Sequence, residues 1–244
     1  MTTLLVDDGW INEGGDFFPW TDNTDIVDEG DDILVEEEVV TNTLQGDDLI
    51  IGSSELGVGI KNFGTIQTVE GDDTITSNGG LVGIFNSRFG TITTGEDDDV
   101  ITGSDALIGI GNRGLIKTGN LNDIIIGSGS EYGISNFGII ESGNGKDTID
   151  ALDGGFIGFG TINLGLDDDL IRGFGEQVVD GGDGFDTAAL GFDYDQDRIS
   201  FGSTADTSID ITFSGRTMSF DNVEEFDFNG QLFTLGELQD LVGL

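Results

Sequence analysis

The chain has 244 residues, 48 acidic against 8 basic side chains, and a formal net charge of −40 at pH 7. This charge excludes ordinary nucleic-acid binding, which needs a cationic surface. The absence of cysteine and histidine excludes disulfides, the usual zinc sites and catalytic triads built on either residue. Hydrophobic residues make up 36% of the chain, which is enough to bury a core.

Residues 1–42 precede the repeats and place aromatic side chains among acids: Trp10, Phe17, Phe18 and Trp20. We predict a hydrophobic N-terminal cap over 1–42, with a subunit contact as the alternative. The opening MTTLLVDDGWINEGG lacks a basic start and a long apolar stretch, so we expect no Sec signal peptide. No apolar run approaches the roughly 18 residues of a membrane span, so we expect no such span.

An eight-residue segment with aspartate at its sixth position then recurs about once every 24 residues. The copies are TLQGDDLI (43–50), TVEGDDTI (68–75), TGEDDDVI (94–101), TGNLNDII (118–125), SGNGKDTI (142–149), LGLDDDLI (164–171) and GGDGFDTA (181–188). Their sixth positions are Asp48, Asp73, Asp99, Asp123, Asp147, Asp169 and Asp186. A poorer copy, DEGDDIL, places Asp32 ahead of the series. A repeat of this length is typical of a solenoid or array.

A second block repeats in register with the first. It reads GIKNFGTI (59–66), GIFNSRFGTI (83–92), GIGNRGLI (109–116), GISNFGII (133–140) and GFIGFGTI (155–162). Each period therefore holds three short β-prone pieces separated by glycine, too short for a sandwich. We predict an all-β fold, a parallel β-helix or β-solenoid, whose stacked turns bury a shared column of isoleucines.

Two further columns follow from the second block. The asparagines (Asn62, Asn86, Asn112 and Asn136) should stack at one corner, where we expect a structural role because asparagine tolerates left-handed backbone and bonds nearby backbone groups. Gly158 takes this position in the fifth copy. Four cations cluster near the same corner: Lys61, Arg88, Arg113 and Lys117. We interpret them as solvated surface charge, with a ligand-facing strip as the alternative.

The aspartate column poses an electrostatic problem. Carboxylates about 5 Å apart repel by roughly 3 kcal/mol at an effective dielectric near 20. Either the acids point outward and are screened by salt, or a cation lies between successive loops. Oxygen ligands on glycine-rich loops suit calcium before magnesium, and we favour calcium. Acids that precede the sixth-position aspartate enrich the same corner: Asp47, Asp72, Asp98 and Asp168.

The segment GGDGFDTAA (181–189) resembles the nonapeptide of RTX, or haemolysin-type, calcium-binding proteins, and SGNGKDTID (142–150) is a near copy. The resemblance implies a parallel β-roll or β-helix that binds calcium through the seven sixth-position aspartates, joined at the last loop by the carbonyls of Gly181 and Asp183. It also implies export by a type I system with an uncleaved C-terminal signal, and folding outside the cell where calcium is plentiful.

The chain departs from that family in repeat length and in its glycines. RTX repeats return every nine residues, so a return every 24 or so predicts a larger, three-sided coil with the calcium-type loop on one corner. Five glycine positions of the loops carry other residues: Leu44, Val69, Asp97, Leu121 and Asp167. Because leucine adopts left-handed backbone poorly, we expect the loop at 118–123 to hold no calcium.

The pattern changes after Asp186 to alternating strands over 198–201, 209–213, 217–220 and 226–235. Asn229-Gly230 between alternating apolar residues predicts a hairpin, and LGELQDLVGL (235–244) predicts a short amphipathic helix. We therefore divide the chain into a cap (1–42), a calcium-binding solenoid (43–190) and a β-rich C-terminal cap (191–244). The last of these resembles the tails of type I secreted proteins and would double as the export signal.

The residues favour a structural function over catalysis. We expect a secreted protein, extracellular or on the cell surface, that self-associates end to end in a surface layer, fibre or matrix and is not an enzyme. An adhesin that holds a cell-surface glycan is the alternative. A polysaccharide lyase or epimerase is the third hypothesis, and it would need cations to hold a uronate and a base to abstract its proton.

Overall fold

The repeated segments form the sides of a coil of about six turns, in which each turn uses about 24 residues. The computed structural model describes residues 2–6, 9–11, 17–19, 26–28, 32–195, 199–202 and 207–242. Each full turn contains three strand segments. The first follows a sixth-position aspartate, the second precedes a corner asparagine, and the third follows the next glycine. The predicted three short pieces per period are therefore confirmed.

The strands of the N-terminal half are, in chain order, β1 (Thr2–Val6), β2 (Gly9–Ile11), β3 (Phe17–Pro19), β4 (Ile26–Asp28), β5 (Asp32–Val35), β6 (Val40–Asn42), β7 (Leu49–Ser53), β8 (Val58–Asn62), β9 (Thr65–Glu70), β10 (Thr74–Asn78), β11 (Val82–Asn86), β12 (Thr91–Glu96), β13 (Val100–Asn112) and β14 (Leu115–Asn120). The remainder are β15 (Ile124–Asn136), β16 (Ile139–Asn144), β17 (Thr148–Asp150), β18 (Phe156–Ile157), β19 (Thr161–Leu166), β20 (Leu170–Arg172), β21 (Val178–Asp183), β22 (Thr187–Ala189), β23 (Ile199–Gly202), β24 (Ser208–Phe213), β25 (Arg216–Asp221), β26 (Glu225–Phe228) and β27 (Gln231–Thr234), followed by helix α1 (Leu235–Val242).

Successive turns pair in parallel and in register. First and second segments belong to one sheet, in which β13 and β15 run through both, and third segments form a second sheet from β6 to β21. Equivalent residues lie opposite one another, as Ile75 pairs with Ile101 and Ile92 with Ile116. Every turn therefore presents the same side chain to the same place, about 4.8 Å above the one below.

Three columns of buried isoleucine fill the interior, one from each segment. The first column holds Ile50, Ile75, Ile101, Ile125, Ile149 and Ile171, the second Ile60, Ile84, Ile110 and Ile134, and the third Ile66, Ile92, Ile116, Ile140 and Ile162. Each such side chain contributes roughly 1.5–3 kcal/mol of burial free energy. No single turn could bury these residues alone, so the stack supplies the core.

The bend between first and second segments brings their backbones into close approach. A Cβ added to Gly103 would lie 2.2 Å from the carbonyl oxygen of Gly109. The same pair recurs one turn later as Gly127 and Gly133, where the distance is 2.3 Å. Only glycine fits here, which explains the G-x-x-x-x-x-G spacing between these segments.

Parallel pairing begins upstream of residue 43, because β4, β5 and β6 pair in parallel with β7, β8 and β9. Strand β1 pairs in parallel with β5 and in antiparallel with β2, which pairs in antiparallel with β3. Trp20 lies outside the described residues, as do the side chains of Trp10, Phe17 and Phe18.

The C-terminal strands close the other end of the coil. Strands β25 and β26 continue the two sheets in parallel on β21 and β22, while β23–β24–β25 and β26–β27 are antiparallel. The predicted hairpin is confirmed: Phe228 pairs with Gln231 across Asn229 and Gly230, whose φ angles are 52° and 93°. The predicted terminal helix is confirmed over Leu235–Val242.

Candidate metal-binding site

Each turn reaches its sixth-position aspartate through a tight loop with positive φ at its second residue and, in every loop but the last (181–186), at its fourth residue too. Glycine allows this conformation and also the close stacking of loops, since a Cβ on Gly119 would lie 1.9 Å from the Gly95 carbonyl oxygen. The loops that lack a glycine adopt the same backbone: φ is positive at Leu44, Val69, Asp97, Leu121 and Asp167.

The sixth-position aspartates form a buried ladder inside this corner. The backbone N–H of each aspartate donates to Oδ1 of the aspartate one turn further along, at 2.7–2.9 Å. The last in the series, Asp186, donates its N–H to Oε2 of Glu224 at 2.8 Å. We call this the inner ladder: Asp48, Asp73, Asp99, Asp123, Asp147, Asp169 and Asp186. The alternative in which these acids point outward is wrong.

In six of the seven inner-ladder aspartates, the second carboxylate oxygen has no hydrogen-bond partner among the described residues. These buried atoms are Oδ2 of Asp73, Asp99, Asp123, Asp147, Asp169 and Asp186. The hydroxyl of Thr94 lies beside Asp99 and lowers its pKa, but it donates to the carbonyl oxygen of Thr118, 3.2 Å away. Oδ2 therefore remains a buried acceptor without a donor, which is costly unless a proton or a cation satisfies it.

Burial raises the pKa of these carboxyls far above the ordinary value near 3.9. The pKa is about 6 for Asp73, Asp147 and Asp186, about 7 for Asp99 and Asp123, and about 8 for Asp169. Desolvation is the largest cause in every case, and neighbouring carboxylates add to it. The hydroxyls of Thr68, Thr94, Thr118 and Ser142 and the backbone N–H groups one turn back oppose the rise without cancelling it.

A second, exposed ladder lies just outside the first. Here five residues that directly precede a sixth-position aspartate each accept a backbone N–H from the following turn: Asp47, Asp72, Asp98, Asn122 and Asp168. Asp72 N–H donates to Asp47 at 3.1 Å and Asp98 N–H donates to Asp72 at 3.2 Å. Asp168 accepts from Phe185 N–H at 3.1 Å and pairs with Lys146 at 2.6 Å. The hydrogen bond from Lys146 holds the pKa of Asp168 below its usual range.

The remaining predicted ligands divide into two groups. Gly181 lies against the inner ladder, since a Cβ there would be 2.5 Å from Oδ2 of Asp186, whereas the Asp183 carbonyl oxygen accepts Asp167 N–H at 2.8 Å. Asp32 begins β5, whose next residue pairs with Ile60 of a second segment. The backbone register therefore places Asp32 outside the aspartate column.

Leucine in the loop at 118–123 does not distort it. Leu121 adopts a φ of 70°, and Asp123 keeps the same burial and the same Oδ1 hydrogen bond as its neighbours. The physical reason for expecting this loop to differ is therefore wrong, and its calcium content stays a prediction.

Chemically, the inner ladder suits a hard cation. It offers buried oxygens without donors, and calcium prefers oxygen ligands. Within the described ranges, no three acidic side chains converge to form a metal site on their own. Carbonyl oxygens of the loops, or water, would have to complete the coordination of any ion held here.

Two buried ladders brace the same turns. The predicted structural role of the asparagines is confirmed: Asn62 donates to Asn86, Asn86 to Asn112 and Asn112 to Asn136, at 2.8–2.9 Å. The sequence analysis missed the ladder of first loop residues, in which each hydroxyl donates to the backbone carbonyl of the next turn: Thr43, Thr68, Thr94, Thr118 and Ser142. Threonine or serine at the first position of five aligned copies was its visible signal.

The predicted basic cluster separates into two environments. Lys117 lies 3.9 Å from Glu141 on the second sheet. Arg88 lies over the ring of Phe89 at 4.5 Å, and Arg113 is 5.9 Å from the ring of Phe85. The two arginines thus contact aromatic rings at the asparagine corner.

Neither the models of known protein families nor the curated protein sequences match this chain. No family match therefore confirms the RTX resemblance, and what the structure supports is a β-solenoid with a spacing of about 24 residues per turn. In the described part of the chain, no helix has the length and apolar character needed to cross a bilayer.

Proposed function

We propose that this chain is a secreted, calcium-binding β-solenoid with a structural role in an extracellular layer, fibre or matrix. One observation carries the proposal: a stack of buried carboxylates in which six aspartates have an oxygen that no described residue donates to. Calcium would neutralise the stack, held by the Oδ2 atoms of the inner ladder with loop carbonyls or water completing its coordination.

The electrostatics of the ladder support this proposal. The charged neighbours that act on the pKa of Asp99 and Asp169 are other carboxylates, and each raises the pKa. The whole chain carries 8 basic residues against 48 acidic ones, and no cationic side chain acts on the pKa of Asp99 or Asp169. Protons can neutralise the column below the pKa values of about 6 to about 8. At higher pH and at the millimolar calcium of an extracellular fluid, a divalent cation is the better candidate.

Secretion, assembly and the absence of catalysis belong to the same proposal. The C-terminal strands and helix have the sequence character of a type I export signal. The ends of a stacked coil offer strand edges for end-to-end association. The main polar constellations of the coil are ladders that satisfy backbone groups, which is the chemistry of a scaffold rather than of an enzyme.

A calcium titration of metal-depleted protein at about pH 8 tests the proposal, with far-ultraviolet circular dichroism and light scattering followed together. We expect the β-signal to be weak without calcium and to rise at millimolar calcium, because the five ladder carboxyls whose pKa is about 6 or about 7 are then largely ionised and Asp169, whose pKa is about 8, is ionised in part. Scattering should grow with the signal if the chain assembles. Asp99→Asn should weaken the calcium dependence, and the exposed neighbour variant Asp98→Asn should leave it unchanged.

A full β-signal in metal-depleted buffer at this pH, unaffected by calcium, would show that the ladder takes no calcium. A calcium-dependent β-signal without growth in scattering would support the calcium site and contradict the proposed assembly.

A further inference from the structure

The residue before the corner glycine forms an exposed column along the coil. Phe63, Arg113, Phe137 and Phe159 occupy this position in four turns, and in the remaining turn a two-residue insertion presents Arg88 and Phe89 there. We call these residues, together with Phe85, the aromatic–arginine strip. Over five turns at about 4.8 Å each, its ends lie roughly 19 Å apart.

The rings of the strip remain open to solvent. Phe89 is 63% exposed, Phe137 50% and Phe159 81%. Neighbouring rings meet edge to face, with centroids 6.0 Å apart for Phe63–Phe85 and 6.2 Å for Phe137–Phe159. Large exposed apolar side chains in one continuous row mark a binding surface rather than scattered surface residues.

The strip also holds cations that the acidic chain leaves unneutralised. Among the described residues, no carboxylate forms an ion pair with Arg88 or Arg113, whereas Lys146 and Arg172 each pair with an aspartate. Arg88, Arg113 and Phe137 line a surface depression of about 320 Å³. Two guanidinium groups beside a ring offer fork-shaped donors for a carboxylate and an apolar face for the group that carries it.

We propose that the aromatic–arginine strip binds a linear carboxylated polysaccharide, with sugar faces on the phenylalanines and a uronate carboxylate on Arg88 and Arg113. Charge complementarity selects the acidic sugar over a neutral one, since no carboxylate in the described ranges pairs with either arginine. The extended, evenly spaced strip fits a chain-like ligand.

Isothermal titration calorimetry of the full chain tests this site, with hexagalacturonate and its methyl ester as probes. The ester keeps the sugar faces and removes the charge. We expect the acid to bind and the ester to bind at least about tenfold more weakly, which is about 1.4 kcal/mol. Arg113→Gln and Phe137→Ser should each weaken binding of the acid by a similar factor. Lys146→Gln, which removes a positive charge outside the strip, should leave it unchanged.

Circular dichroism of each variant separates loss of the site from loss of the fold. Equal binding of acid and ester, or binding unchanged by Arg113→Gln, would overturn the proposal. Sedimentation tests a different occupant of the strip. If the chain self-associates, if Phe137→Ser abolishes that self-association, and if the acid does not bind, the strip is instead a contact with a second copy of the chain.

Discussion

At the scale of single residues, the loops adopt the same backbone conformation even where their side chains differ. Val69 and Leu121 adopt the positive φ that glycine takes in other turns, although a β-branched or bulky residue is strained there. The neighbouring turns hold them in place, because loop carbonyls and amides bond to the turns on either side. Such positions store strain that the rest of the stack overcomes.

Replacing Val69 with glycine should therefore stabilise the coil. We expect Val69→Gly to raise the free energy of unfolding by about 1 kcal/mol, because relief of left-handed strain outweighs the added freedom of the unfolded chain. Urea unfolding at fixed calcium measures the change. Gly119→Ala is the matched reverse and should destabilise, since its Cβ would meet the Gly95 carbonyl oxygen. A loss of stability in Val69→Gly would show that the valine side chain contributes more than its strain costs.

The sequence predicted the aspartate register and the three strand segments, since both are visible as a period. It did not predict that Oδ1 of each aspartate would accept the backbone N–H of the turn before, because that bond joins residues 17 to 26 apart. The same bond gives a structural reason for aspartate at the sixth position. The calcium hypothesis therefore depends on the other oxygen, Oδ2.

At the scale of elements, the asparagine ladder fastens the second segments of successive turns. Asn112 accepts from Asn86 and from Gly114 N–H, and it donates to Asn136 and to the Ile139 carbonyl oxygen. The ladder does not stop at Gly158, as the aligned blocks suggested. Asn136 instead donates to Gln177 at 3.1 Å, a contact across 41 residues that no local pattern could reveal.

Truncation of a ladder asparagine should be costly. We expect Asn112→Ala to lower the free energy of unfolding by about 3 kcal/mol, because it leaves buried donors and acceptors without partners. Denaturant unfolding measures this loss. Asn122→Ala is the control, since Asn122 bonds Asp98 on the exposed ladder, where water can replace the lost bonds, and the change should stay below about 1 kcal/mol. Similar effects of the two variants would mean that burial of the ladder is not what makes it stabilising.

At the scale of the whole molecule, stability should depend on pH in a way set by the inner ladder. Histidine, whose side chain ordinarily titrates between about pH 5 and about pH 8, is absent from the chain, and so is cysteine. The pKa values of six ladder carboxyls fall between about 6 and about 8, raised by burial. Without a cation, their contribution to stability is complete below about pH 4 and is lost as pH rises through this range.

Calcium should reverse that dependence. An ion bound to the ladder holds its carboxylates ionised and depresses their pKa in the folded state, so their contribution is present at neutral pH and lost on acidification. Each carboxyl that keeps its proton only in the folded state changes stability by about −1.4 kcal/mol per pH unit. The sign of the slope therefore reports which species, proton or calcium, neutralises the column.

The most direct test is urea unfolding between about pH 5 and about pH 8, in metal-depleted buffer and in millimolar calcium. We predict that stability falls with rising pH in the first buffer and holds or rises in the second. Asp99→Asn should flatten both dependences, and Asp98→Asn should change neither. Identical pH dependences in the two buffers would contradict the account, because calcium would then not replace protons on the buried carboxylates.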